Sequence, residues 1–151
     1  MMEALSHYLA VSTVEALRII LPGICYDVAG SGDILTYGGF SMRVADVCSG
    51  IRTFSVLLPL TVLCLVMDFK SLRRSFLLLA FPTMAFVAWS GNVLRCLLIF
   101  LVSTLDSSFG LGVFHDYVGY FIWMLEIIVL ITYFSAGHIQ SNQNKTDGHK
   151  T

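Results

Sequence analysis

At 151 residues the chain has room for one domain. Only 13% of its residues are charged and 56% are hydrophobic, against about 25% charged in an ordinary soluble domain, and a net charge of −1 without a basic patch excludes a nucleic-acid partner. The composition predicts an all-α polytopic membrane protein, with residues 1–134 as one integral membrane domain and residues 135–151 as a polar, disordered cytoplasmic tail.

The first apolar run, residues 8–25, contains Glu15 and Arg18, three apart and on one helical face. It either spans with that ion pair turned toward other helices or lies on the surface as an amphipathic helix. Pro22-Gly23 ends it. Without a basic stretch ahead of it, the run does not read as a cleavable signal peptide. The pattern then changes period. Phe40, Met42 and Val44 alternate with Ser41, Arg43 and Ala45, and Gly38-Gly39 separates two such runs. That predicts a small extracytoplasmic hairpin, or failing that an irregular loop, ahead of Cys48.

Residues 44–52, VADVCSGIR, join this polar segment to a long apolar helix. A thiol at a helix N-terminus has its thiolate stabilised, and the thiolate is the nucleophile. Arg52, about one turn on, adds a cation beside Cys48. Residues 50–67 read as a spanning helix interrupted by Pro59, and Lys70, Arg73 and Arg74 follow it. This densest basic cluster belongs in the cytoplasm by the positive-inside rule, which sets Cys48 on the outer face. Residues 75–94 carry no charge, include Pro82 and span back outward to Arg95. Residues 96–105 are apolar but too short to span alone. They continue the helix, bend along the interface or re-enter. A loop over 106–116 carries His115, and residues 117–134 span inward with Glu126 as their only charge. The sum is about four crossings of the cell membrane with both termini inside.

Four cysteines, Cys25, Cys48, Cys64 and Cys96, form no CxxC pair, which argues against a thioredoxin-type centre and a zinc site; no metal or cofactor is expected. Cys64 and Cys96 lie in apolar runs, where a thiol is usually a small hydrophobe. The topology gathers Cys48, Arg95 and His115 on one outer face. Taken singly, each has an ordinary reading: inert thiol, interfacial anchor, solvated imidazole. Together they supply a nucleophile, a fixed cation for an oxyanion and a proton carrier.

The segments VADVCSGIR, NVLR at Asn92 to Arg95, and His115-Asp116-Tyr117-Val118-Gly119 resemble the signatures of the exosortase and archaeosortase membrane transpeptidases. The resemblance runs from about residue 23 to 134 and implies a compact member, since relatives commonly carry further membrane helices ahead of this core. It implies Cys48, Arg95 and His115 as the catalytic triad. Ser49 and Gly50 match motif positions and shape the turn; Asn92 and Arg52 are supporting residues, with Arg52 the substitute should it, rather than Arg95, face the sulfur. It also implies an exported protein substrate ending in a sorting motif, a membrane helix and a basic cluster. Cys48 cuts this through a thioester and passes the product to a lipid or surface-glycan acceptor, or to water. Two other classes stand against this reading: a non-catalytic membrane scaffold, and a membrane thiol oxidoreductase with Cys25 as resolving cysteine.

Overall fold

The computed structural model describes residues 2–24, 28–44, 51–68 and 74–147, with side chains over 6–24, 28–44, 53–67 and 76–139. In chain order these form α1 (Met2–Ile20), a 3₁₀ turn (Leu21–Gly23), β1 (Ala29–Ser31), β2 (Ile34–Tyr37), β3 (Phe40–Arg43), α2 (Ile51–Asp68), α3 (Arg74–Leu105), α4 (Ser107–Leu111) and α5 (Val113–Asp147).

The long helices are apolar on nearly every side. Over Phe76–Leu105 and Val113–Ile139 they are long and apolar enough to cross a membrane, and only 33% and 28% of their most hydropathic windows are buried within the protein. The core helix of a soluble protein would be mostly buried, so these faces need an apolar solvent. Leu78, Phe81 and Phe86 on α3 and Phe121, Met124 and Ile128 on α5 all point outward. A shorter apolar stretch, Thr53–Met67, makes up most of α2.

α3 is the spine, packing against α1, α2, α4 and α5. Its first half joins α2 and α5 in a cluster of Leu57, Ala80, Met84, Ala88, Leu130 and Phe134. Its second half buries Val93, Cys96, Ile99 and Phe100 against α1 and the sheet. Residues 96–105 therefore continue the helix, one of the three courses open to them in the sequence. Pro59 and Pro82 both lie inside helices that run on past them.

In α1, Ala10, Val14, Leu17 and the following Leu21 recur at helical spacing and are fully buried. Glu15 and Arg18 pair at 2.9 Å on the opposite side, each side chain about half exposed. The pair thus faces away from the other helices.

The expected hairpin is present. Tyr37 pairs with Phe40 across Gly38-Gly39, whose φ values of +55° and +84° are what a tight primed turn requires. Leu35 lies opposite Met42, and both are buried beneath the sheet. β1 adds a third antiparallel strand, paired to β2. Phe40 meets Phe100 with ring centroids 6.1 Å apart, fastening the sheet to α3.

α5 runs through Asp147, so the helix continues into the polar residues that follow Phe134. The Gln and Lys residues there are competent helix formers, and they extend a helix already nucleated by the apolar segment before them.

Candidate active site

The rotation of α3 is set by two side-chain hydrogen bonds to α1. Trp89 Nε1 donates to Ser12 Oγ at 3.1 Å, and Asn92 Nδ2 donates to Thr13 Oγ1 at 3.2 Å, both Asn92 and Thr13 being buried. Apolar packing discriminates weakly between helix rotations when the surrounding lipid is as apolar as the partner; directional hydrogen bonds between helices add to that discrimination. With Asn92 turned to α1, Arg95 lies about 60° around the helix, on the side that faces α5.

His115 comes from the other direction. α3 ends at Leu105 and the chain reverses through α4. Asp106 caps α4, its carboxylate accepting from Ser108 N at 2.9 Å, Phe109 N at 3.1 Å and Ser108 Oγ at 2.7 Å. The Ser108 hydroxyl and the Phe109 N–H hold this carboxyl below its ordinary range. The reversal sets α5 against α3 and brings His115, in the first turn of α5, beside Arg95.

Arg95 Nη2 lies 3.0 Å from His115 Nε2, and His115 Nδ1 lies 3.1 Å from Asp116 Oδ1. A guanidinium can only donate, so Nε2 accepts and carries no proton. The ring proton then sits on Nδ1 and is donated to Asp116. The geometry selects one tautomer of a neutral imidazole, oriented from both sides.

Gly119, one turn beyond His115, makes the approach of Arg95 possible. A Cβ at this position would come within 2.8 Å of Nη2, 2.9 Å of Cζ and 3.2 Å of Nε, so a side chain there would expel the guanidinium. Beside this pair opens a cavity of about 230 Å³, lined by Thr53 and Val56 of α2, Arg95 of α3, and His115, Asp116, Gly119, Tyr120 and Trp123 of α5. The three helices thus converge on one cleft with a polar end and an aromatic, apolar wall.

Of the residues singled out in the sequence, Arg95 and His115 are brought together, and Asn92, one turn before Arg95, is turned to α1. Cys48, Ser49, Gly50 and Cys25 lie outside the described residues, as does the side chain of Arg52 in the first turn of α2. Cys64 is half-buried and Cys96 fully buried, both as thiols within helices. The sequence reading gave no role to Asp116 or Gly119, although both fall within the quoted segment. The available signal was spacing: a carboxylate adjacent to the histidine and a glycine one turn after it, on the face that meets a long cation.

The fold and site define a class: a small helical protein whose apolar hairpin, α3 and α5, embeds a guanidinium–imidazole pair in a cleft shared with α2. A sequence model of the transmembrane exosortases (Transmembrane exosortase, Exosortase_EpsH) matches residues 1–132. The chain belongs to that family, and is a membrane protein. No curated protein and no solved structure matches it.

Proposed function

We propose that this protein is a membrane cysteine transpeptidase that removes the C-terminal sorting signal of exported proteins. Family membership implies a transpeptidase-type role in the membrane. The observation that carries the finer reading is the Arg95–His115 contact at 3.0 Å, made between two helices at a cleft that α2 also lines. Cys48 precedes Thr53, a lining residue, by five residues of chain, a span of at most about 17 Å.

The chemistry follows from the groups. As a substrate carbonyl enters, the Arg95 donors turn from His115 to the developing oxyanion. Nε2 is then open to take the Cys48 proton, and Asp116 supports the resulting imidazolium through Nδ1–H. The thiolate forms a bond to the carbonyl carbon, and the C–N bond breaks. The departing amine takes the proton back from His115 and leaves with the membrane helix of the signal. An acceptor amine or hydroxyl from a lipid or surface glycan, or water, resolves the thioester. Asn92 positions Arg95 through its hold on α1, while Ser49, Gly50 and Arg52 shape and polarise the approach to Cys48.

The proposed topology has crossings by α2, α3 and α5, with α1 and its outward-turned Glu15–Arg18 pair lying along the outer surface, Lys70, Arg73 and Arg74 inside and the site at the outer face. The deciding experiment replaces Cys48. The Cys48→Ala protein should reach normal levels in the membrane while the uncut precursor accumulates, because loss of a covalent nucleophile costs on the order of 10³–10⁶ in rate. Ala at Cys25, Cys64 or Cys96 should change processing little. A precursor still cut by the Cys48→Ala protein would end the cysteine mechanism. An impermeant thiol reagent should label Cys48, but not Cys64, on intact cells; labelling of Cys48 only after lysis would invert the topology.

A further inference from the structure

One strongly polar group on the α3–α5 seam takes no part in this chemistry. Glu126 lies on the face of α5 that carries His115 and Gly119, two turns beyond Gly119. It is 3% exposed, in the middle of an apolar span. Its carboxyl fills the gap left by the missing side chain of Gly91. A Cβ on Gly91 would strike Glu126 Oε1 and lie 3.0 Å from its Cδ. An ionisable side chain is expensive at this depth and is kept there by a partner or a task.

The partner is close at hand. Arg95 follows Gly91, the seat of the Glu126 carboxyl, by one turn on the same face of α3. Among the described residues, Glu126 Oε1 and Oε2 are buried without a hydrogen-bond partner, and so is Arg95 Nε. The same seam therefore holds a buried donor without an acceptor and two buried acceptors without a donor. Gly119 gives the guanidinium its place and Gly91 gives the carboxylate its own.

We propose that Glu126 is the counter-charge of Arg95, a positioning residue that holds the guanidinium at His115 through a hydrogen bond made directly or across one water. The site is then a line of alternating character: Glu126 carboxylate, Arg95 guanidinium, His115 imidazole, Asp116 carboxylate. A neutral side chain would fill the Gly91 gap equally well, so packing alone does not account for an acid. The inference concerns how Arg95 is held. It rests on the proposed activity only where the activity is the readout.

The test uses the full-length protein in detergent or bilayers, with Glu126→Gln and Glu126→Asp compared by three measurements. The first is the nitrogen-15 NMR signature of His115, assigned by its loss in His115→Gln. Wild type should show one neutral tautomer, protonated at Nδ1, whereas Glu126→Gln should show both in exchange because Arg95 no longer occupies Nε2. Glu126→Asp should retain the single-tautomer signature in part. The second is processing of a sorted precursor, which Glu126→Gln should lower by roughly ten- to a hundredfold, the scale of a misplaced catalytic group, at unchanged protein level. The third is thermal stability of Arg95→Gln, Glu126→Gln and the double variant. Loss of Arg95 alone should be the most destabilising, and removing Glu126 as well should recover part of it. An unchanged His115 signature in Glu126→Gln, or strictly additive stabilities, would overturn the pairing. Should wild type cut no precursor, the tautomer and stability readouts still decide the pairing, and only the proposed activity falls.

Discussion

The two halves of α3 are built on different plans. From Leu77 to Ala88 the helix meets its neighbours mainly through apolar surface, Ala80, Met84 and Ala88 against Leu57, Leu130 and Phe134, with Tyr133 of α5 donating to the Phe76 carbonyl at its start. From Trp89 onward α1 and α5 are met through polar groups as well: Ser12 and Thr13 on α1, His115 on α5, with Glu126 of α5 seated at Gly91. In a bilayer the apolar plan gives cohesion with little say over rotation, because lipid competes on equal terms. The polar plan fixes angle and depth. The half that carries Arg95 is the half that is pinned.

Substitutions in the two halves should therefore fail in different ways. Arg95→Lys keeps the charge but loses the planar fork, and it should cut processing by about 10²–10³, the usual scale for an oxyanion donor, with the protein still in the membrane. If half the activity survives, the pinned geometry matters less than the charge. Gly119→Ala introduces a methyl within 2.8 Å of Arg95 Nη2; a loss of roughly ten- to a hundredfold is expected, visible in precursor turnover per molecule of protein. In the apolar half, Met84→Ala should cost about 2–5 kcal/mol of stability by leaving a cavity, read as a lower melting temperature, while turnover per folded molecule stays near wild type. A drop in that turnover would erase the distinction between the halves.

The smallest effect belongs to Asp106. Its carboxyl is held below the ordinary range by Ser108 and Phe109, so its contribution to stability is full above about pH 4 and is lost as pH falls through the lowered native value. Asp106→Asn keeps a capping side chain but no titration. Melting measured between neutral and acid pH should lose that part of its acid dependence in the variant. Curves that fall in parallel would assign the acid sensitivity elsewhere.

What the sequence disclosed follows the same division. Period and charge gave the long helices, and Gly38-Gly39 gave the hairpin because two residues with positive φ are what such a turn needs. Arg95 and His115 were readable as neighbours because charge placed both at one membrane face and three motif segments agreed. β1 escaped notice: Ala29-Gly30-Ser31 has neither β-branched nor aromatic residues and is a strand by pairing with β2. Asp116 and Gly119 were in view but unassigned, since a glycine reads as flexibility until the side chain it accommodates is seen. Glu126 read as a lone charge in a span, because its relation to Gly91 and Arg95 exists only once α5 lies against α3.

The apolar length of α3 has a consequence of its own. Phe76–Leu105 exceeds any hydrocarbon thickness, at roughly 45 Å against about 30 Å. The excess is accounted for by Cys96, Ile99 and Phe100, which are buried by the sheet and α1 and need no lipid. The part left to the bilayer ends near Arg95, after roughly 28 Å of helix. The bilayer is thus a ruler laid against Arg95. In thicker membranes the guanidinium is drawn below the headgroups, and in thinner ones the apolar stretch beneath it is bared to water, so turnover should peak at one acyl-chain length and decline on either side.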